Sequence, residues 1–280
     1  MKKWTFVLTL VTLIGLLAAC GSKPEAGTEP GKDAASGSAG ATTKLVVGAS
    51  PIPHAEILKH IAPKLKEQGV ELEVKEYTDY VMPNVQLHEK QLDANFFQHK
   101  PYMDDQVAKN KYDLVAVANI HVEPFGAYSK KITKVDELQD GATVAIPSDA
   151  TNGGRALLLL QKQGLIKLKD GVTLNATVRD IAENKKNLNF KELEAAMLPR
   201  AVDDFDLALI NTNYALQAQL DPKKALFIEE SLNSPYSNII TTRSDNKDSD
   251  AIKKLLAALQ SEDVKTFIND KYNGAITTAF

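Results

Sequence analysis

Short β-branched or apolar runs recur along most of this chain and alternate with segments spaced as amphipathic helices. That alternation confines it to the α/β class, with βαβ units and a mainly parallel sheet. The expected strands are residues 45–49, 71–76, 93–97, 113–120, 143–147, 173–178, 206–210, 225–229 and 238–242. Residues 54–68 carry Ile57, Leu58, Ile61 and Leu65 on one stripe and precede Gly69, so they read as a helix with a natural C-cap. Residues 155–163 hold four consecutive leucines before Gly164, too apolar for a surface helix, and 251–259 and 264–272 read as C-terminal helices. With 280 residues and about 150 per typical domain, two lobes are expected.

Ahead of this pattern, Lys2 and Lys3 introduce an apolar run over residues 6–17, long enough for a signal-peptide core and too short to cross a bilayer. Leu17, Ala18, Ala19 and Cys20 follow, and small residues before a lone cysteine resemble the bacterial lipobox. The resemblance implies a signal peptide over 1–19, cleavage before Cys20, and lipidation of its thiol. Cys20 is the single cysteine, so no intramolecular disulfide can form, and a lipidated thiol is no nucleophile. Residues 21–43 are Gly, Ser, Ala, Thr and Pro with scattered charges, a composition that reads as a flexible tether. The only tryptophan, Trp4, falls in the leader. A net charge of −3 without a basic stripe gives no footprint for nucleic acid.

In open α/β sheets, ligands bind beyond the carboxyl ends of strands, which selects four places. Residues 147–155 pass from a strand end through Asn152, Gly153 and Gly154 to Arg155 at a helix start, where free backbone N–H groups and a guanidinium suit a carboxylate. The same spacing also suits an N-cap by Thr151 or Asn152 with Arg155 solvated. Residues 206–214 carry a buried-looking strand into Asn211 and Asn213, whose amides suit an amino acid backbone or, equally, a helix cap. Phe96, Phe97, His99 and Tyr102, with Tyr77 and Tyr80 upstream, concentrate aromatic groups that suit an apolar or thioether side chain; some of them must be core. Alternation puts Phe96 and Phe97 on opposite faces. Residues 234–238 form a turn before the strand that opens at Asn238.

No GxSxG elbow, HExxH, CxxC, P-loop or dinucleotide fingerprint occurs, so neither an enzyme nor a cofactor is expected. The five histidines, at 54, 60, 88, 99 and 121, do not fall four apart on any expected helix, and no metal site is assigned.

Residues 76–80 with Pro83 and Asn84, then 93–102, 144–157, 192–200, 210–215 and 234–238, resemble in order the methionine-binding lipoproteins of bacterial ABC importers, the MetQ type within the NlpA group. The resemblance covers nearly all of the folded part. It implies a bilobal, periplasmic-binding-protein-like (type II) fold, two mixed-sheet α/β lobes closing on L-methionine. It also implies delivery to a membrane permease driven by a separate ATPase, from a lipid anchor on the extracytoplasmic face of the cell membrane. In the family's pattern Arg155 holds the carboxylate, Asn211 and Asn238 bind the amino acid backbone, and Tyr77, Phe97, His99, Tyr102 and His121 line the side-chain pocket, with Asn152 beside them. Lobe one is expected over 44–123 plus 239–280 and lobe two over 124–238. Alternatives are a receptor for another amino acid or small dipeptide, a metal-binding receptor, an exported hydrolase, and an adhesin with a vestigial pocket.

Overall fold

The computed structural model describes residues 42–280, so the signal peptide, Cys20, Trp4 and most of the tether lie outside the described residues. The chain builds two principal sheets. The first joins β1 (Thr43–Ala49), β2 (Val70–Glu76), β3 (Ala94–His99), β4 (Leu114–Val122), β12 (Ser237–Arg243) and β13 (Thr277–Thr278) in the order β13-β4-β12-β3-β1-β2. The second joins β5 (Gly126–Tyr128), β6 (Thr143–Pro147), β9 (Asn189–Leu193), β10 (Leu207–Ile210) and β11 (Phe227–Ile228) in the order β11-β5-β10-β6-β9. A small hairpin, β7 (Lys167–Leu168) with β8 (Ile181–Glu183), stands beside the second sheet.

Each sheet is mixed rather than mainly parallel. β2, β1 and β3 run parallel, as do β9, β6 and β10, because each pair is linked by a crossover rather than a hairpin. β12 runs against both β3 and β4, and β5 runs against β10. These are the strands that enter from the other sheet. The chain leaves the first sheet between Val122 and Gly126 and returns between Ile228 and Ser237. A strand arriving from the opposite lobe starts at the cleft, whereas the parallel strands end there. Ser237 and Asn238, expected in the second lobe, pair with His121, Val122 and His99 of the first sheet.

Helices cover both sheets. α1 (Glu56–Glu67) follows a short π-helical turn (Pro51–Ala55) and buries Ile57, Leu58, Ile61 and Leu65 against β1 and against α7 (Asp250–Leu259) and α8 (Glu262–Tyr272). Its chain reverses at Gly69, whose φ of +76° is the left-handed conformation that glycine adopts freely. α2 (Met82–His88) and α3 (Lys100–Asn110) were not legible as periodic stripes; α3 buries only Tyr102 and Met103. The second lobe packs α4 (Ala150–Lys162) on one face of its sheet, with Leu157, Leu159 and Leu160 buried, and α5 (Leu198–Ala201) with α6 (Thr212–Gln217) on the other.

The expected strand at 173–178 does not form. Those residues make a turn that lies across the start of α4, where a Cβ on Gly154 would collide with the Leu174 carbonyl oxygen and lie 2.9 Å from the Ala176 backbone nitrogen. Apolar content there serves packing on a helix rather than sheet pairing. Replacing Gly154 with Ala should therefore destabilise the fold by about 1–3 kcal/mol or more. Thermal unfolding of Gly154→Ala should show a fall of several degrees; an unchanged midpoint would mean that this turn is free to move off the helix.

Candidate functional site

A cavity lies between the sheets, where β3, β4, β6 and β10 end and β12 begins. From β3 come Phe97, Gln98 and His99, followed by Tyr102 in the first turn of α3. The His99 side chain caps that helix, its Nδ1 accepting from the Tyr102 backbone N–H at 3.1 Å, while Nε2 lies 3.1 Å from Asn152 Oδ1. An accepting Nδ1 and an acceptor opposite Nε2 fix the neutral, Nε2-protonated ring. Burial, then the nearby Arg155 charge, push the His99 pKa down to about 3.

Asn152 and Arg155 sit three residues apart on α4, so one helix face presents both. The N-cap is Asp149, one of whose carboxylate oxygens accepts from the Asn152 backbone at 2.9 Å while both accept from its side chain at 3.0 Å; neither Thr151 nor Asn152 caps the helix. Held so, Asn152 Oδ1 faces His99 and also accepts from Asn211 Nδ2 at 2.8 Å. Asn211 occupies the N-cap position of α6, yet its side chain makes no capping bond and turns to this network instead.

Arg155 is buried, not solvated: it is 3% exposed. Its Nε donates to both Glu229 oxygens at 3.0 Å, and Nη2 donates to Glu229 and, at 2.8 Å, to the Glu123 carbonyl. The guanidinium lies between the Tyr236 ring, 4.1 Å from its centroid, and the Phe125 ring at 5.1 Å. Nη1 makes no hydrogen bond among the described residues, which leaves one donor edge for a ligand.

Beneath the cavity floor, His121 Nε2 lies 2.7 Å and His54 Nε2 3.3 Å from the same Glu123 oxygen, and His54 Nε2 lies 2.9 Å from Asn238 Oδ1. All four residues are buried. Burial lowers the His54 pKa to about 4 and that of His121 to about 3, and raises that of Glu123. His54, His121 and Glu123 could each offer a metal one atom within 4.8 Å of the others. A metal-ligating imidazole normally anchors its second nitrogen, however, and Nδ1 of both rings is buried without a partner. The cluster is built as hydrogen-bond donors around one carboxylate.

Seven of the nine residues expected to contact ligand therefore line one cavity: Phe97, His99, Tyr102, Asn152, Arg155, Asn211 and Asn238. Two do not. His121 sits behind Glu123, and the Tyr77 ring packs on Gly48 and Leu92 in a separate cluster, with Tyr80 in the lining instead. Asn213, weighed beside Asn211 from the sequence, lines the cavity too; Glu123, Gln98 and Thr212 also line it and were not singled out, although Glu123 and Thr212 both stand just past strand ends, where the same rule points. Hydrogen bonds join the lobes around the cavity: His99 to Asn152, Tyr80 Oη donating to Asn213 Oδ1 at 2.6 Å, and Tyr214 Oη donating to the Thr78 carbonyl at 3.0 Å. Asn211 Oδ1 and Asn213 Nδ2 are buried with no partner. One cavity thus combines unmatched polar atoms with the rings of Tyr80, Phe97 and Tyr102, a lining suited to a small ligand with both charged and apolar parts.

Comparison with known proteins matches the family model "NlpA lipoprotein" over residues 45–280. The D-methionine-binding lipoprotein MetQ of Escherichia coli strain K12 is 50% identical over 232 residues, covering 82% of this chain and 84% of that protein. The methionine-binding lipoprotein MetQ of Bacillus subtilis is 42% identical, covering 99% and 98%. Among solved structures, a nutrient-binding protein from Burkholderia cenocepacia bound to methionine superposes with a TM-score of 0.82 at 46% identity, covering 84% of this chain and 100% of that one. The architecture is accordingly the bilobal, periplasmic-binding-protein-like fold, and the chain belongs to the NlpA lipoprotein family.

Proposed function

We propose that this chain is the substrate-binding lipoprotein of an ABC importer, which captures methionine, as the L-enantiomer, between its lobes and delivers it to a permease powered by a separate ATPase. The observation that carries the reading is the cavity itself, lined by Arg155 and Asn238, by Asn211 and Asn213 with one buried amide atom each unmatched among the described residues, and by the rings of Tyr80, Phe97 and Tyr102. Relatives named as methionine-binding and a structural neighbour bound to methionine support the ligand class.

In this reading Arg155 Nη1 holds the carboxylate, and Asn211 and Asn238 bind the amino acid backbone, with Asn152 fixing Asn211 and His99. Phe97, His99, Tyr102 and, in the place first given to Tyr77, Tyr80 enclose the thioether. His121 acts from behind the lining. The role is binding rather than catalysis: each lining hydroxyl donates to a protein oxygen, Tyr80 to Asn213, Tyr102 to the Tyr80 carbonyl and Thr212 to the Pro124 carbonyl, so none is paired with a base. Cys20, lipidated after removal of 1–19, anchors the protein on the extracytoplasmic face through the tether expected over 20–43, whose last residue, Thr43, instead opens β1. The lobes are 44–123 with 239–280, and 124–238; the pairing of Ser237 and Asn238 favours moving the return two residues earlier.

Calorimetric titration of the full chain, stripped of co-purified ligand by unfolding and refolding, tests this. One-to-one binding of L-methionine is expected, with selenomethionine and norleucine weaker by no more than about 10–200-fold, the range a hydrophobic pocket can discriminate. Heat with D-methionine, another amino acid or a dipeptide but none with L-methionine transfers the function to that ligand. Arg155→Lys, which keeps a charge beside Glu229 but loses the planar fork, should weaken binding at least about tenfold. Cys20→Ala should move the protein from the membrane to the soluble fraction of the expressing cell; an unchanged distribution removes the anchor.

A further inference from the structure

One ring of the cavity wall stands on a segment that its own lobe holds loosely. Tyr80 belongs to residues 77–81, which join β2 to α2, and its ring centroid lies 5.8 Å from that of Tyr102 and 5.9 Å from that of Phe97. Residues 78–81 make one hydrogen bond to the body of their lobe among the described residues, from Tyr102 Oη to the Tyr80 carbonyl at 3.1 Å. Asp79 Oδ1 accepts from the Val81 and Met82 backbone, each at 2.8 Å, and so joins the segment to the start of α2. Where the Tyr80 ring stands is therefore set by where α2 begins.

Polar groups of the sheet fix α2 at both ends. At its last turn, Arg243 of β12 donates through Nη1 to the Leu87 carbonyl at 3.1 Å. At its first turn, Asn84 is 1% exposed and pairs with Gln98 of β3 through two reciprocal amide bonds, Nδ2 to Oε1 and Nε2 to Oδ1, both 2.8 Å. Asn95, also on β3, donates to Asn84 Oδ1 at 2.8 Å and to the Pro83 carbonyl at 3.2 Å. Gln98 Nε2 further lies 3.1 Å from Asn95 Oδ1 and 3.2 Å from Thr241 Oγ1 on β12, and Thr241 in turn donates to Met103 Sδ at 3.6 Å. Asn84, Asn95, Gln98 and Thr241 are all buried, and none of their side-chain polar atoms lacks a partner, unlike Asn211 and Asn213 across the cavity. A buried network so fully paired is stiff, because displacing one member leaves the others unbonded. Gln98 stands between Phe97 and His99, so the amide that holds α2 belongs to the strand that carries the facing wall.

We propose that Asn84, through its amide pair with Gln98 and with the support of Asn95 and Thr241, is a positioning residue that fixes the spacing between the Tyr80 ring and the rings of Phe97 and Tyr102, and thereby the length of ligand side chain the cavity accepts. Asn84, Asn95 and Thr241 are not part of the cavity lining. Their hydrogen-bonding capacity is spent on one another and on Gln98, so they stiffen the wall without recognising the ligand. An apolar pocket rejects one additional methylene only as far as its walls refuse to move apart. Loosening the first turn of α2 should therefore admit longer side chains before it abolishes binding.

This inference rests on the reading of the cavity as a methionine site, and one set of titrations separates the two. L-Methionine and L-ethionine, which is longer by one methylene, are titrated calorimetrically into the full chain, stripped of ligand, as wild type, Asn84→Ala and Thr241→Val. The wild type should favour methionine by about 10–200-fold. Asn84→Ala should cut that ratio at least about threefold, and Thr241→Val, which keeps the side-chain shape and removes one acceptor of Gln98 Nε2, at least about twofold. A ratio taken within one protein cancels any loss of folded fraction, and Thr241→Val decides the matter if Asn84→Ala does not fold. A wild type indifferent to the methylene, or a ratio that persists in the folded variants while both affinities fall together, makes the network a structural brace; either result overturns the positioning role and leaves the receptor reading standing. An absence of heat with L-methionine in the wild type overturns both.

Discussion

The placement of the Arg155 guanidinium is the constraint on which the remaining architecture turns. Leaving such a cation buried and unpaired would cost several kcal/mol, and the fold meets that demand from both connections between its lobes. Glu123 and Phe125 belong to the first connection, and Glu229 and Tyr236 to the second. One side chain on α4 therefore ties the two connecting segments together while turning a donor edge to the cavity. Stacking between two rings contributes of the order of 1–2 kcal/mol for a desolvated cation and fixes the plane of the fork. Rigidity of the fork and position of the connections are one problem with one solution.

The mixed sheets follow from the same two connections. A strand that re-enters from the other lobe begins at the cleft, so β12 brings Asn238 to the level where β3 and β4 deliver His99 and His121. Parallel strands alone would line the cleft with carboxyl ends only. Antiparallel re-entry adds an amino end from the opposite direction, and Asn238 stands between two histidines for that reason.

The lipoprotein family was legible from segment order, and most strands from apolar alternation. Seven of the nine residues that the family resemblance assigns to the ligand line one cavity, at places the strand-end rule also selects, where Phe97–His99 and 152–155 are each a continuous run. What stayed hidden needed pairing across distance. Glu229 was visible only as the last residue of a strand, 74 positions from the arginine it orients, and His54 was weighed only among the histidines, with nothing to join it to Glu123. Tyr77 and Tyr80 share composition and neighbourhood, and only the turn between them decides which ring reaches the cavity. At 173–178 the expected strand gave way to a turn, because its backbone packs on the glycine surface of α4 rather than on a neighbouring strand.

The three hydrogen bonds across the cleft, through His99, Tyr80 and Tyr214, join protein to protein and involve no ligand atom. Part of the closing free energy thus comes from contacts between the lobes themselves, which bias the population of closed receptor before ligand binds. Apparent affinity scales with that population. Evolution can then raise or lower the capture threshold by editing Tyr214, which bonds the Thr78 carbonyl from outside the cavity lining, while the groups that recognise the solute stay untouched.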